Sequence, residues 1–338
     1  MDTTNTTNMQ SLLVSASPHI RDNETTGRII WTVNAALAPA AIMGAYYFGL
    51  RALWVMFLCI ATSLAGEYCY EKLLRKKITL KDGSAFLTGL LLALNLPPAV
   101  PFYIPVLGSL FAIVLTKQLF GGLGYNVFNP ALMGRVFLLI SFPKILTTWS
   151  QPVASFTGLD ATTTATPLNI AKMEGMDKLV QIFGDKWSMY HQLIVGNRGG
   201  CIGETCILAL VAGGLFLLIR GYISWHIPVA YLGTVALLAW IFGNNAALFS
   251  GDPIMHLLSG GLMLGAFFMA TDYVTSPAMN GGKLLFGAGC GFITILIRLK
   301  GGYPEGVMFS ILIMNCFAPL IDRGFRSRTF GFRKAVKK

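Results

Sequence analysis

Apolar residues run along this chain in blocks long enough to cross a lipid bilayer, separated by short polar, glycine-rich or proline-rich turns. A hydrocarbon layer of about 30 Å needs roughly 20 apolar helical residues, and shorter stretches serve where a helix is tilted or discontinuous. On that measure the pattern predicts ten segments: 29–50, 52–71, 84–96, 99–117, 127–145, 205–219, 226–243, 254–270, 283–299 and 304–321. Segment 84–96 is short and ends in Asn95-Leu96-Pro97-Pro98, which predicts a broken or re-entrant helix. Its counterpart 254–270 carries Gly260, Gly261 and Gly265 and also ends irregularly. The expected fold class is all-α and polytopic, with about ten transmembrane or broken helices.

The two halves echo one another. Asp82-Gly83 followed by Phe86-Leu87-Thr88-Gly89-Leu90-Leu91-Leu92 is matched by Gly251-Asp252 followed by Leu257-Leu258-Ser259-Gly260-Gly261-Leu262-Met263. Gly122-Leu123-Gly124-Tyr125 with Pro130 is matched by Gly301-Gly302-Tyr303-Pro304. Five segments per unit is an odd number, so the second unit lies upside down relative to the first, an arrangement that gathers ligand or ion sites near the midplane beside broken helices. The expected organisation is an N-terminal cytoplasmic segment 1–28, a first membrane repeat 29–145, an extracytoplasmic loop 146–204, a second repeat 205–322 and a basic cytoplasmic tail 323–338.

Composition supports the membrane reading. The mean hydropathy is +0.62, with 54% hydrophobic and 12% charged residues, against about 25% charged in soluble domains. The net charge of +11 does not indicate nucleic acid. The cations sit at segment ends and in the tail (Arg323, Arg326, Arg328, Arg333, Lys334, Lys337 and Lys338), with no groove of interleaved aromatics. A cytoplasmic N-terminus puts Arg21, Arg28, the run Lys72, Arg75, Lys76, Lys77, Lys81, then Lys117, Arg220, Lys283 and the tail inside. Lys172, Lys178, Lys186 and Arg198 fall in the long loop, which the charge rule weights little. Both termini are therefore expected in the cytoplasm, with Arg298 and Lys300 running against that assignment as snorkelling residues or parts of a site. Residues 1–27 show no cleavable signal, so the first span is expected to act as the insertion signal.

The candidate chemistry lies outside the usual soluble motifs. Six scattered cysteines form no C-x-x-C pair, which argues against an iron–sulfur site or disulfide framework, although Cys201 and Cys206 near an outer boundary leave a single disulfide open. The four histidines lack metal-ligand spacing, and no Rossmann fingerprint, P-loop or nucleophile elbow is present. No metal and no catalytic residue of this chain's own is expected. Acidic residues at apolar depth cost roughly 2.5–3.5 kcal/mol for Asp on insertion scales, so those retained are functional candidates. Glu67 lies within segment two, Asp272 follows the glycine-rich segment eight, and Glu204 and Glu305 stand at the starts of segments six and ten. Glu204 and Glu305 have the competing role of capping helix starts. All four are ion-path candidates, as oxygen ligands for Na+ or as proton carriers.

In the polar loop, Asp160-Ala161-Thr162-Thr163-Thr164-Ala165-Thr166-Pro167-Leu168 reads locally as a solvated turn. It also resembles the pattern D-x-x-(S/T)-(G/A/T)-A-T-x-L, at whose last threonine flavin transferases attach FMN through a phosphoester. Five further stretches are collinear with one membrane family: Ser17-Pro18-His19-Ile20-Arg21, Phe128-Asn129-Pro130-Ala131, Gly199-Gly200-Cys201-Ile202-Gly203-Glu204-Thr205, Gly265-Ala266-Phe267-Phe268-Met269-Ala270-Thr271-Asp272 with Thr275-Ser276-Pro277, and Gly302-Tyr303-Pro304-Glu305-Gly306-Val307. Together they resemble the RnfD/NqrB family. RnfD is a membrane component of the Rnf complexes, the ion-translocating ferredoxin:NAD oxidoreductases, and NqrB is its paralogue in the sodium-translocating NADH:quinone reductases. About 28 residues precede the first span, and NqrB typically carries a longer extension, which favours the RnfD branch. This chain has Thr163-Thr164 where the family usually has Ser-Gly, and Cys201 where Ser is common.

The resemblance implies FMN on Thr166, with Asp160, Thr163, Thr164, Ala165 and Leu168 completing the attachment motif, and it permits a second, noncovalent flavin such as riboflavin. It implies a non-autonomous component of a translocase-type oxidoreductase in the cell membrane. The implied partners are RnfA, RnfB, RnfC, RnfE and RnfG, above all the flavoprotein RnfG, together with a maturing flavin transferase and membrane lipid. Membership of the NqrB branch is one alternative. A flavin-free small-solute channel or transporter with an inverted-repeat fold, or a membrane scaffold, represents a different class.

Overall fold

The computed structural model describes residues 24–152, 163–196, 198–243 and 248–325. The first and longest element, α1 (Thr26–Leu73), contains one non-helical residue, Gly49, at φ 64° and ψ −148°. That conformation favours glycine, and it divides the 48-residue run into the two segments the apolar pattern predicts. Together with α13 (Asn280–Lys300) and α14 (Val307–Gly324), α1 is long and apolar enough to cross a membrane.

Between these lie α2 (Ser84–Leu94), α3 (Tyr103–Leu110, continued by π-helical turns over Phe111–Gln118), α4 (Pro130–Ser141), α5 (Pro143–Leu146), α9 (Ile207–Ile219) and α10 (His226–Phe242). The predicted segment 127–145 is thus two helices, divided where Pro143 withholds its amide. Segment 254–270 is broken further, into α11 (Pro253–Leu258), a turn, α12 (Leu262–Leu264) and π-helical turns over Gly265–Met269. Three helix starts repeat one device, a polar cap followed by proline at the first helical position. Asn129, Thr166 and Asp252 each accept backbone N–H groups, ahead of Pro130, Pro167 and Pro253.

The main core joins α1, α2, α4, α9, α10, α12, α13 and α14 through Leu37, Leu92, Leu94, Tyr231, Phe286 and Ile311 among others. Helix α1 packs along α2, α3 and α9, and α10 packs along α13. Inside the core Tyr231 shares hydrogen bonds with Thr294 (2.7 Å) and Ser310 (2.9 Å), tying α10, α13 and α14.

The loop 146–204 is more structured than its polarity suggests. Trp149–Ser150 (β1) and Thr163–Thr164 (β2) form a two-residue antiparallel ladder, with Trp149 opposite Thr164. Helices α6 (Pro167–Met173), α7 (Met176–Phe183) and α8 (Lys186–Val195) follow. They bury a satellite core of Leu168, Leu179, Met189 and Leu193 against Met255 of α11. All six cysteines are free, so Cys201 and Cys206 form no disulfide.

Candidate functional site

Thr166 caps α6. Its backbone is extended (φ −67°, ψ 153°), and its Oγ1 accepts the Asn169 N–H at 3.2 Å. The residue is 4% exposed, while Ala165 before it is exposed. Thr163 and Thr164 lead in along the β ladder, and Asp160 lies outside the described residues. Two contacts seat the segment. Leu168 lies against Gly260, where a Cβ would come within 2.9 Å of its Cδ1. Lys172 Nζ donates to the carbonyls of Gly301 (2.5 Å) and Tyr303 (3.2 Å), beyond the end of α13. Gly260 has φ +69°, and an added Cβ would also lie 3.2 Å from Arg298 Nη2 and 3.8 Å from Glu305 Cγ. The threonine-bearing segment is therefore docked on the break between α11 and α12, next to a buried charged cluster.

That cluster is drawn from distant parts of the chain. Arg135 of α4 donates to Glu305 Oε2 (2.6 Å), Asn95 Oδ1 (2.8 Å) and Cys201 Sγ (3.3 Å). Cys201 Sγ donates to Asn95 O at 3.2 Å, and Ile202 N to Leu96 O at 3.1 Å, which closes the backbone after α2. Arg198 bonds the carbonyls of Leu258 (2.7 Å) and Glu204 (3.0 Å). Arg298 bonds those of His256 (2.5 Å) and Ser259 (2.9 Å). Two arginines thus satisfy the carbonyls freed where α11 ends, groups that burial would otherwise leave costly. Glu204 stands just before α9. Burial raises its pKa above the ordinary carboxylate range, and the neighbouring Glu305 carboxylate raises it further, against the opposing pull of Arg135 and Arg198. A metal ion is a poor fit here, because the Arg135 guanidinium already bonds both Cys201 Sγ and Glu305.

A second buried charge site lies elsewhere. Glu67 of α1, fully buried, accepts from Lys117 Nζ and Gln118 Nε2, both at 2.6 Å and both on the π-helical turns after α3. Lys117 also donates to Ser84 Oγ at 2.6 Å. Lys117 and Ser84 border a cavity of about 410 Å³ that also touches Asn126, Asn129, Phe267 and Asp272. Asp272 accepts from Thr275 Oγ1 (3.2 Å) and Val274 N (3.4 Å).

Along residues 13–331 the sequence matches the NQR2, RnfD, RnfE family. The chain belongs to that family. One family member, the D subunit of the proton-translocating ferredoxin:NAD(+) oxidoreductase complex of Clostridium ljungdahlii, is 50% identical over 95% of this chain and 96% of its own length. The D subunit of the Na(+)-translocating ferredoxin:NAD(+) oxidoreductase complex of Acetobacterium woodii is 47% identical over 98% of this chain and 99% of its own. The D subunit of the ion-translocating oxidoreductase complex of Cronobacter sakazakii is 40% identical over 95% and 99%. Family membership and the apolar helices make this a membrane protein.

Of the four acidic ion-path candidates, the fold brings Glu204 and Glu305 together, with Cys201. Glu67 is ion-paired at the second site, and Asp272 reaches that site only through the cavity that Lys117 also borders. Sequence reasoning missed Arg135, Lys117, Asn95 and the carbonyl-binding role of Arg198. The available signal was a cation inside an apolar run, Arg135 in 127–145 and Lys117 at the end of 99–117, since intramembrane bases are as exceptional as intramembrane acids.

Proposed function

We propose that this chain is the RnfD component of an ion-translocating ferredoxin:NAD oxidoreductase complex, a membrane protein that relays electrons through FMN on Thr166 and couples their flow to Na+ or H+ movement. Similarity over nearly the whole length to two proteins named as D subunits of such complexes supports the reading. Those relatives are named for different ions, so likeness to them does not choose the ion. On this reading ten segments form two inverted five-segment units, both termini are cytoplasmic, and loop 146–204 faces outside. The remaining components, RnfA, RnfB, RnfC, RnfE and above all the flavoprotein RnfG, are the partners in electron transfer.

The observation that carries the flavin assignment is the seat of Thr166. A hydroxyl in the attachment pattern is held at a fixed cap, one residue after an exposed position, on a segment pinned by Leu168 and Lys172. To carry a phosphoester the Thr166 hydroxyl, 4% exposed and capping α6, would turn outward beside the exposed Ala165. FMN bound there would supply one- and two-electron transfer. Thr166 would tether it, Leu168 and Lys172 would hold the segment against the α11–α12 break, and the Arg135 cluster would set the local field. The cavity beside Lys117 and Asp272 fits a second, noncovalent flavin in volume, within the roughly 300–1,000 Å³ of ligand pockets, and in its mixture of aromatic and amide groups. Asp272, Glu204 and Glu305 are the ion-path residues of the proposal, while Glu67, a candidate from the sequence, is held in an ion pair with Lys117. The test is intact-mass measurement of the chain co-produced with a flavin transferase: an increment of FMN less water in the native chain, and none in Thr166→Ala. An increment that survives in Thr166→Ala refutes the attachment.

A further inference from the structure

Glu204 and Glu305 each present a carboxylate oxygen, Oε1 in both, that is buried and has no hydrogen-bond partner. A carboxylate oxygen of each, together with Cys201 Sγ, lies within 4.8 Å of the others. Buried acceptors without donors are costly, and two carboxylates this close resist simultaneous ionisation. A single proton relieves both penalties, because it removes one of the two charges and turns an acceptor into a donor.

The surrounding groups decide which ion can enter. Arg135 of α4 pairs with Glu305 and also reaches Cys201. Arg198, before α9, and Arg298 of α13 direct their donors to backbone carbonyls, and Arg298 also faces His256 of α11 and Tyr231 of α10. Among the described residues Glu204 forms no ion pair. Sodium, a hard cation, needs a shell of oxygen ligands to replace its water. The carbonyls of His256, Leu258 and Ser259 at the second helix break are already bonded to guanidinium groups, and those of Asn95 and Leu96 at the first accept from Cys201 and Ile202. Three guanidinium groups so close repel a further metal cation, whereas a proton is held covalently by a carboxyl oxygen.

We propose that Glu204 and Glu305 form a proton-binding pair that holds one proton between them and excludes sodium. The assignment deepens the ion-path reading above and rests on it for its role in transport. It concerns this pair alone, whatever ion the assembled complex moves. The pair is placed to respond to flavin charge, since Gly260 contacts Leu168 of the attachment segment on one side and lies near Arg298 and Glu305 on the other.

Infrared difference spectra of the intact complex, recorded while the pH is stepped from mildly acidic to mildly alkaline, test the pair without reference to flavin or turnover. The native complex should lose a carboxylic-acid carbonyl band as the pH rises. That band should be absent in Glu204→Gln, which leaves the Arg135–Glu305 pair intact, and its midpoint should be the same in sodium and sodium-free buffer. Three outcomes overturn the proposal: no such band, a band unchanged in Glu204→Gln, or a midpoint that falls by about one pH unit per tenfold rise in sodium, as competition for one site demands. Should Glu204→Gln not assemble, Glu204→Asp must move the midpoint, and an unmoved midpoint overturns the assignment equally. Loss of the Thr166 adduct with the band retained would instead sink the flavin reading and leave the proton pair standing.

Discussion

Glu67 and Glu204 are both buried carboxylates, each with one oxygen that lacks a hydrogen-bond partner, yet they differ in their counter-ions. Glu67 has a dedicated counter-ion, Lys117, and an amide donor, Gln118, on the same oxygen. Glu204 has neither; the cations that act on it, Arg135 and Arg198, bond Glu305 and backbone instead. The first arrangement neutralises a charge permanently and ties α1 to α3. The second leaves a group whose charge can change without loss of an ion pair. Burial alone therefore does not mark an ion-carrying acid; what matters is whether the carboxylate is already committed to a cation.

The largest effect expected from that contrast is at the committed pair. Glu67→Leu or Lys117→Met alone should cost about 3–5 kcal/mol by stranding the buried partner, while the double substitution should cost far less. Thermal unfolding of the detergent-solubilised complex measures this, and a double variant as unstable as the singles would show that the pair is not the relevant interaction. Glu67→Gln should likewise impair assembly, so a transport defect in that variant would not by itself place Glu67 on the ion path.

The docking surface comes next. Gly260→Ala should cost about 1–3 kcal/mol through its positive φ and the contact with Leu168. It should also loosen α6 to α8, read as faster proteolysis within 163–195. Unchanged proteolysis would show that the segment does not depend on this seat.

The smallest effect is at the uncommitted carboxylate. Glu204→Gln should change stability by about 1 kcal/mol or less at acidic pH, where the native carboxyl is protonated in the folded and the unfolded chain, and its effect should depend on pH with a definite sign. The folded pKa of Glu204 is raised, so stability relative to the glutamine variant is greatest at low pH and falls as the pH rises through the folded value. Melting temperatures of the two proteins across pH should therefore diverge toward alkaline conditions. Parallel curves would mean that Glu204 does not titrate there.

The apolar runs located the main helices, three of them long and apolar enough to cross a membrane, because run length is a local property, and Asn95-Leu96-Pro97-Pro98 and Gly260 marked two breaks for the same reason. The charged partnerships were illegible because they are long-range: Lys117 lies 50 residues from Glu67, and Arg135 lies 170 from Glu305. Helices α6 to α8 escaped notice because polarity dominates loop 146–204, although Gly175 and Gly184 frame an amphipathic α7 whose buried residue is Leu179. The attachment motif is contiguous and could be matched residue by residue, whereas its seat on the α11–α12 break required the fold.

Under the proposed function Thr166 carries the flavin of an electron-transfer protein. Intact-mass analysis of the chain co-produced with a flavin transferase, as the native sequence and as Thr166→Ala, tests it most directly. The expected result is an increment of FMN less water, with fluorescence in a denaturing gel, that is complete in the native chain and absent in the variant while α6 and the complex remain assembled. An unmodified native chain, or an increment retained in Thr166→Ala, would contradict it.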